Sequence, residues 1–200
     1  MSWLVVFPER EPERRTRATA DAGAVSSELA RWGVQFERWL PDREHVDPLV
    51  AYASQVGRLR AAGYGTVDVV RLAPDASDPG WVGGAQAMRE KFRDEHTHAE
   101  DEVRFFALGS GVFYLRLGGQ VYCVGCHAGD LLSIPAGTRH WFDMGAAPRF
   151  VAIRFFESAS GWVGDFSGDT IARRFPSCDE LAASAPEAAG VGAVAALVAS

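Results

Sequence analysis

Two histidines at alternate positions, His96 and His98, precede a glutamate in Glu95-His-Thr-His-Ala-Glu-Asp-Glu-Val-Arg-Phe-Phe106. In an extended strand, side chains at even spacing share a face, so His96, His98 and Glu102 can point together. A second stretch, Pro135-Ala-Gly-Thr-Arg-His140, offers a third imidazole from a neighbouring strand. Three neutral nitrogens and one carboxylate oxygen, with no thiolate, suit Fe(II), Ni(II), Mn(II), Co(II) or Zn(II). A six-coordinate ion held by four protein groups keeps two open positions, which can accept a bidentate oxygen ligand. The bland reading of His-x-His is a pair of surface or core histidines. The carboxylate at the right offset and the later Pro-x-Gly-x-x-His segment weigh against it. A structural zinc site would normally use cysteines and close all four positions.

Other residues near these motifs carry two readings each. Arg104 continues the even-numbered face of His96, His98 and Glu102. Arg154 interrupts the apolar run Phe150-Val-Ala-Ile-Arg-Phe-Phe156. Burying an arginine is costly unless it is paired. Either arginine can therefore be a structural ion pair or an anion clamp beside the metal. Of the aromatic residues Phe92, Phe105, Phe106, Phe142 and Trp162, most should be core. Phe142 and Trp162 are the choices for lining a small apolar pocket. Glu95 and Asp101 are either solvated charges or hydrogen-bond partners of the ligand histidines. Cys123-Val-Gly-Cys126 has no partner pair and sits where a strand meets a turn, which favours structural cysteines. His45 and His127 stand alone and read as ordinary residues. Gly109-Ser-Gly111 joins two β-rich runs and reads as a hairpin turn.

The elements that must position these groups change character along the chain. Up to about residue 95 the pattern mixes helix and strand. A helix is expected over 22–32, with Ser26 and Ser27 as early caps. A half-buried strand follows over 34–39, then a helix over 48–62 that ends at Gly63. A strand over 67–72 and a short helix over 85–92 deliver the chain to His96. From 96 to 156, short β-rich runs are cut by glycine and proline: 102–108, 112–117, 120–124, 130–134, 140–142 and 150–156. Such spacing suggests an antiparallel sandwich or barrel. The stretch 182–200 is almost all Ala, Gly, Val and Ser and reads as a flexible tail.

Composition sets the outer limits. The 200 residues fit one domain, taken as 1–181 ahead of the Ala-rich tail. Hydrophobic residues at 48% and charged residues at 23% place the chain among folded globular proteins. A net charge of -6 argues against nucleic acid as a partner, because phosphate binding wants a basic face. No apolar run is long enough to span a membrane, and the apolar start lacks a basic segment before it. Three unevenly spaced cysteines argue against a disulfide framework, so the cytoplasm is the expected compartment.

The spacing resembles the two cupin motifs: His96-x-His98-x-x-x-Glu102 with Gly109 after it, then Gly129-x5-Pro135-x-Gly137-x-x-His140. Glu90 stands where a glycine is usual, and Met144 where an asparagine is usual. More specifically, the chain resembles acireductone dioxygenases. The likeness rests on Glu95-His-Thr-His98, Glu100-Asp-Glu-Val-Arg-Phe-Phe106, His140-Trp-Phe-Asp-Met-Gly145 and Ala152-Ile-Arg-Phe-Phe156. Weaker similarity covers Phe36–Trp39 and the stretch from Gly161 to Pro176.

The resemblance implies a mainly β protein with flanking helices: a cupin barrel of the double-stranded β-helix or jelly-roll type, its core at about 96–156. It implies one Fe(II) or Ni(II) per chain on His96, His98, Glu102 and His140. Arg104 and Arg154 would then be catalytic and would steady the substrate, with Phe142 and Trp162 beside it. The implied substrates are dioxygen and the acireductone of methionine salvage, 1,2-dihydroxy-3-keto-5-methylthiopentene. With iron the family makes 2-keto-4-methylthiobutyrate and formate. With nickel it makes 3-methylthiopropionate, formate and carbon monoxide. Bacterial relatives suggest a monomer. The rival readings are a metal-dependent cupin isomerase or epimerase and a non-enzymatic small-molecule-binding cupin.

Overall fold

From Glu102 to Leu117 a single strand of 16 residues takes part in both halves of the β-structure. The computed structural model describes residues 1–74, 77 and 80–186. Before that strand the chain forms β1 (Trp3–Pro8), β2 (Arg17–Thr19), α1 (Ala22–Ala30) and β3 (Gln35–Arg38). It continues through α2 (Pro48–Ala51), α3 (Ala53–Ala61), β4 (Thr66–Leu72), α4 (Trp81–Phe92) and β5 (His96–Thr97). The long strand is β6. After it come β7 (Gln120–His127), β8 (Asp130–Ile134), β9 (His140–Asp143), β10 (Phe150–Phe156) and β11 (Asp165–Phe166). A short 3-10 turn (Ile171–Arg174) and α5 (Cys178–Ala183) complete the described chain.

All pairings are antiparallel. One sheet runs β11-β5-β9-β6-β7-β1-β2. The other is β3-β8-β6-β10-β4, with β6 again in the middle. The expected antiparallel jelly-roll barrel with helices outside is thus present.

The expected hairpin at Gly109-Ser-Gly111 is not. The chain runs straight on, because β6 changes partners there instead of reversing. Its first half pairs with β8 and β10, and its second half with β7 and β9. Val151 lies opposite Leu108 and Ala152 opposite Phe106, which leaves Ala107 as an extra residue in a β-bulge. Gly109 has φ 75°, and a side chain there would strike the Arg149 carbonyl. The bulge also switches parity. Glu102, Arg104 and Phe106 face the barrel interior before it, and Phe113 and Leu115 after it.

Three apolar clusters hold the elements. The interior cluster joins Phe106, Phe113, Leu115, Tyr122, Leu132 and Phe142, with Val25 and Leu29 of α1 against it. Trp39, Tyr52 and Val56 cover the outer face of β6 and β10 at Phe105 and Phe155. Ile171, Phe175 and Leu181 cover the other outer face at Tyr114 and Trp141. Phe105 and Phe106 are therefore core, as expected of most aromatics.

Several boundaries differ from expectation for local reasons. The cap of α1 is Asp21, whose carboxylate accepts from Ala24 N at 2.7 Å, while Ser26 and Ser27 lie inside the helix. The helix expected over 48–62 is two helices, broken at Tyr52. Tyr52 packs edge-on against Phe105 with ring centroids 4.5 Å apart, and the Asp42 carboxylate receives Ser54 N at 2.7 Å just beyond the break. The helix expected from 85 begins at Trp81. The apolar start is a buried strand, β1, between β7 and β2. Helix α5 crosses the expected boundary at 181, and 187–200 lies outside the described residues. Among the described residues, no helix is long and apolar enough to cross a membrane.

A buried carboxylate ties the helices to the barrel. Asp143, at the end of β9, accepts Arg89 Nε at 2.6 Å and Arg89 Nη2 at 3.0 Å. It also accepts the backbone N–H groups of Gly145 at 3.0 Å and Cys178 at 2.9 Å. Burial pushes its carboxyl up, but Arg89 and the backbone donors outweigh this and hold it below the usual range. Replacing Asp143 with alanine takes the buried partner from Arg89, which keeps only Asp179, and strands two N–H donors. We expect a loss of roughly 3 kcal/mol, or about 9 °C in thermal midpoint for a chain of this size. A calorimetric change of under about 1 kcal/mol, the typical figure for an ordinary substitution, would show that Asp143 is not such an anchor.

Candidate metal centre

Four groups meet at one end of the barrel interior. Strand β5 carries His96, which lies directly opposite His140 of β9. His98 follows just beyond β5, and Glu102 opens β6. The potential ligand atoms of these residues all lie within 4.8 Å of one another. All four residues are buried, Glu102 and His140 to within 2% of full burial. The structure thus brings together every residue that the sequence marked as a metal ligand.

The imidazoles are oriented from behind by backbone carbonyls. His96 Nδ1 meets Asp94 O at 2.8 Å, His98 Nδ1 meets Val163 O at 3.2 Å, and His140 Nδ1 meets Thr138 O at 2.8 Å. A carbonyl can only accept, so each Nδ1 carries a hydrogen and each Nε2 is the ring nitrogen turned to the common centre. Nε2 of His140 stands 2.9 Å from Glu102 Oε2, and Nε2 of His98 stands 3.5 Å from the same atom. Three imidazole nitrogens and a carboxylate oxygen thus face one point, an arrangement that a cation at the centre satisfies. The donor set therefore fits a divalent ion of the Fe(II) to Zn(II) series.

The protonation states agree with that fit. Burial pulls His96 down to about 4, and it also lowers His98. Burial pushes the Glu102 carboxyl up, but Arg104 and the neighbouring imidazoles hold it well below the usual range. Arg104 donates from Nη2 to Glu102 Oε1 at 2.6 Å. Its guanidinium lies 5.1 Å from the ring centres of both Phe113 and Phe142.

A cavity of about 310 Å³ opens from the ligands. Arg104, Arg154, Phe142 and Trp162 all line it, as the sequence suggested. Arg154 is already paired: it donates to Asp68 at 2.9 and 2.5 Å and lies 5.0 Å from the Trp162 ring centre. Phe113, Phe156, Phe166 and Lys91 also line the cavity, and sequence reasoning missed them. Phe113 was hidden by the parity switch in β6. Phe166 sits in a strand too short to show periodicity.

The flanking acids fit neither reading given to them. Glu95 is not solvated but buried, and it accepts from Arg116 at 3.0 Å and from Ser167 Oγ at 2.7 Å. Asp101 accepts Ala136 N at 2.9 Å. Each braces a segment beside a ligand histidine rather than bonding to an imidazole. Cys123 and Cys126 are unpaired and lie in different clusters, and burial raises both thiols well above their ordinary value. They are structural, as expected.

An antiparallel jelly-roll barrel with three imidazoles and a carboxylate inside one end defines a cupin metal centre. Residues 83–164 match the model of the ARD/ARD' family. The chain is 50% identical over 187 residues to acireductone dioxygenase 2 of Nocardia farcinica, covering 90% of this chain and 98% of that one. It is 46% identical over 186 residues to the acireductone dioxygenase of Serratia proteamaculans, covering 90% and 100%. Among solved structures it resembles the acireductone dioxygenase of Bacillus anthracis with a cadmium ion in its active centre. That match has a TM-score of 0.67 and 27% identity, and covers 83% of this chain and 98% of that chain. The chain belongs to the acireductone dioxygenase family.

The depressed imidazoles set the acid limit of the metal-free protein. Below about 6.5 the unfolded histidines take up protons that folded His96 refuses down to about 4, and folded His98 resists them in the same direction. In that window the unfolded state binds more protons, so stability falls as pH falls. Metal-free protein should melt at a lower temperature at pH 5 than at pH 7, and bound metal, which needs the same imidazoles deprotonated, should widen the gap. Equal midpoints by calorimetry at the two pH values would contradict it.

Proposed function

We propose that His96, His98, Glu102 and His140 hold one Fe(II) or Ni(II) per chain. The enzyme then cleaves the methionine-salvage acireductone with dioxygen. The observation that carries this reading is the convergence of four donor atoms within 4.8 Å, each imidazole steered by its own backbone carbonyl. Membership of the family supports the substrate. The cadmium reported in the active centre of the Bacillus anthracis relative marks a divalent-ion site there and supports the metal. When bound, the metal supplies Lewis-acid and redox chemistry toward an enediol and dioxygen.

The protein's own side chains do the rest. Arg104 steadies Glu102 and keeps positive charge facing the cavity, where an enediol becomes anionic. Its Nε is buried and has no protein partner among the described residues. Arg154, held by Asp68, adds a second cation at the wall. Phe142 and Trp162 form apolar surface for a methylthio tail. With iron the products are 2-keto-4-methylthiobutyrate and formate. With nickel they are 3-methylthiopropionate, formate and carbon monoxide.

The test is oxygen uptake with synthetic acireductone on iron- and nickel-loaded protein, with product analysis of each. Both forms should consume oxygen, and only the nickel form should release carbon monoxide. No uptake with either metal would overturn the reading and favour a metal-dependent isomerase or a binding protein. Glu102→Ala and His140→Ala should each weaken metal binding by more than about a hundredfold, the upper end of what loss of an outer partner costs, and abolish uptake. Full metal content and full activity in either variant would refute the ligand assignment.

A further inference from the structure

Glu100 lies between two of these ligands in sequence, yet its side chain reaches toward the loop that joins β10 to β11. Its Oε2 accepts Ser158 N at 3.0 Å, and its Oε1 accepts the Ser158 hydroxyl. The Ser158 hydroxyl also meets that of Ser160 at 2.8 Å. Gly161 presses against the same carboxylate, and a Cβ there would collide with Glu100 Oε2 and the Phe156 ring. Two turns, Gly161 N to Ser158 O at 3.2 Å and Val163 N to Ser160 O at 3.1 Å, carry the chain from this anchor to Val163. The carbonyl of Val163 is the one that receives His98 Nδ1. Trp162 sits between anchor and carbonyl, and its ring covers Arg154 at the cavity wall.

The connection is selective. The carbonyls behind His96 and His140 belong to Asp94 and Thr138, in other segments. The His98 contact, at 3.2 Å, is longer than the 2.8 Å of the other two and depends on a loop rather than on its own turn. We propose that Glu100 is a positioning residue for the metal centre: by fastening Ser158 it sets the Val163 carbonyl that orients His98, and with it Trp162. This rests on the reading of His98 as a metal ligand.

The experiment uses the full chain loaded with zinc, a diamagnetic ion that suits the same donors, and proton–nitrogen NMR of labelled histidines. Wild-type protein should show three protected Nδ1–H signals, with metal-shifted Nε2 on each ring. The His98 signal is identified by its contact with the Phe156 ring, whose centroid is 6.1 Å away. In Glu100→Ala and in Ser158→Ala, that signal alone should exchange with water faster, by about tenfold or more, and zinc affinity should fall roughly tenfold. Glu100→Gln keeps one acceptor and should restore part of the protection. The double variant should be no worse than Glu100→Ala alone, because both changes cut one path. An unchanged His98 signal, a common shift of all three signals, or additive losses in the double variant would overturn the inference. Wild-type protein lacking three metal-shifted rings would remove the ligand reading itself, and this inference with it.

Discussion

The molecule is arranged around the burial of three imidazoles and a carboxylate at one point. A barrel interior is a poor place for a carboxylate and three imidazole lone pairs, since buried polar groups cost free energy unless each has a partner. Here every Nδ1 is used up on a carbonyl, which leaves the Nε2 atoms only a common centre to serve. The surrounding polar features follow from that constraint. Asp101 and Glu95 fix neighbouring segments, while Arg104 neutralises Glu102 from one side. The apolar walls keep bulk water from competing for the ligands.

The same logic explains the mixture of charge and aromatic surface in the cavity. Both arginines there are matched by acids, Arg104 by Glu102 and Arg154 by Asp68, and both rest on aromatic faces. Pairing and stacking hold guanidinium groups in one orientation, which flexible cations on a surface would not keep. The sequence-based choice between ion pair and anion clamp was therefore a false alternative for Arg154. It is an ion pair in its own right and still faces the pocket.

Much of the site could be read in the sequence because it depends on short-range periodicity. The even spacing of His96, His98 and Glu102 and the approach of Pro135 to His140 survive any error in distant elements. The strand runs from 102 to 156 were legible for the same reason. What was not legible depended on partners far along the chain. Gly109-Ser-Gly111 has the composition of a turn, but whether it reverses or bulges is decided by β10 lying alongside. The break at Tyr52 depends on Phe105 and Asp42. Glu95 looks like a surface charge until Arg116, 21 residues away, folds onto it. The buried first strand carries no polar alternation, because both of its faces are covered.

A strand shared by two sheets has a mechanical meaning. Glu102 opens β6 beside the three imidazoles, and Leu117 closes it at the turn into β7. Neither sheet can peel open without pulling on the backbone of the other, so the amides of both should open and close as one cooperative block rather than layer by layer. A ligand seated at Glu102 thereby braces the far rim of the barrel, at the opposite end of the same strand.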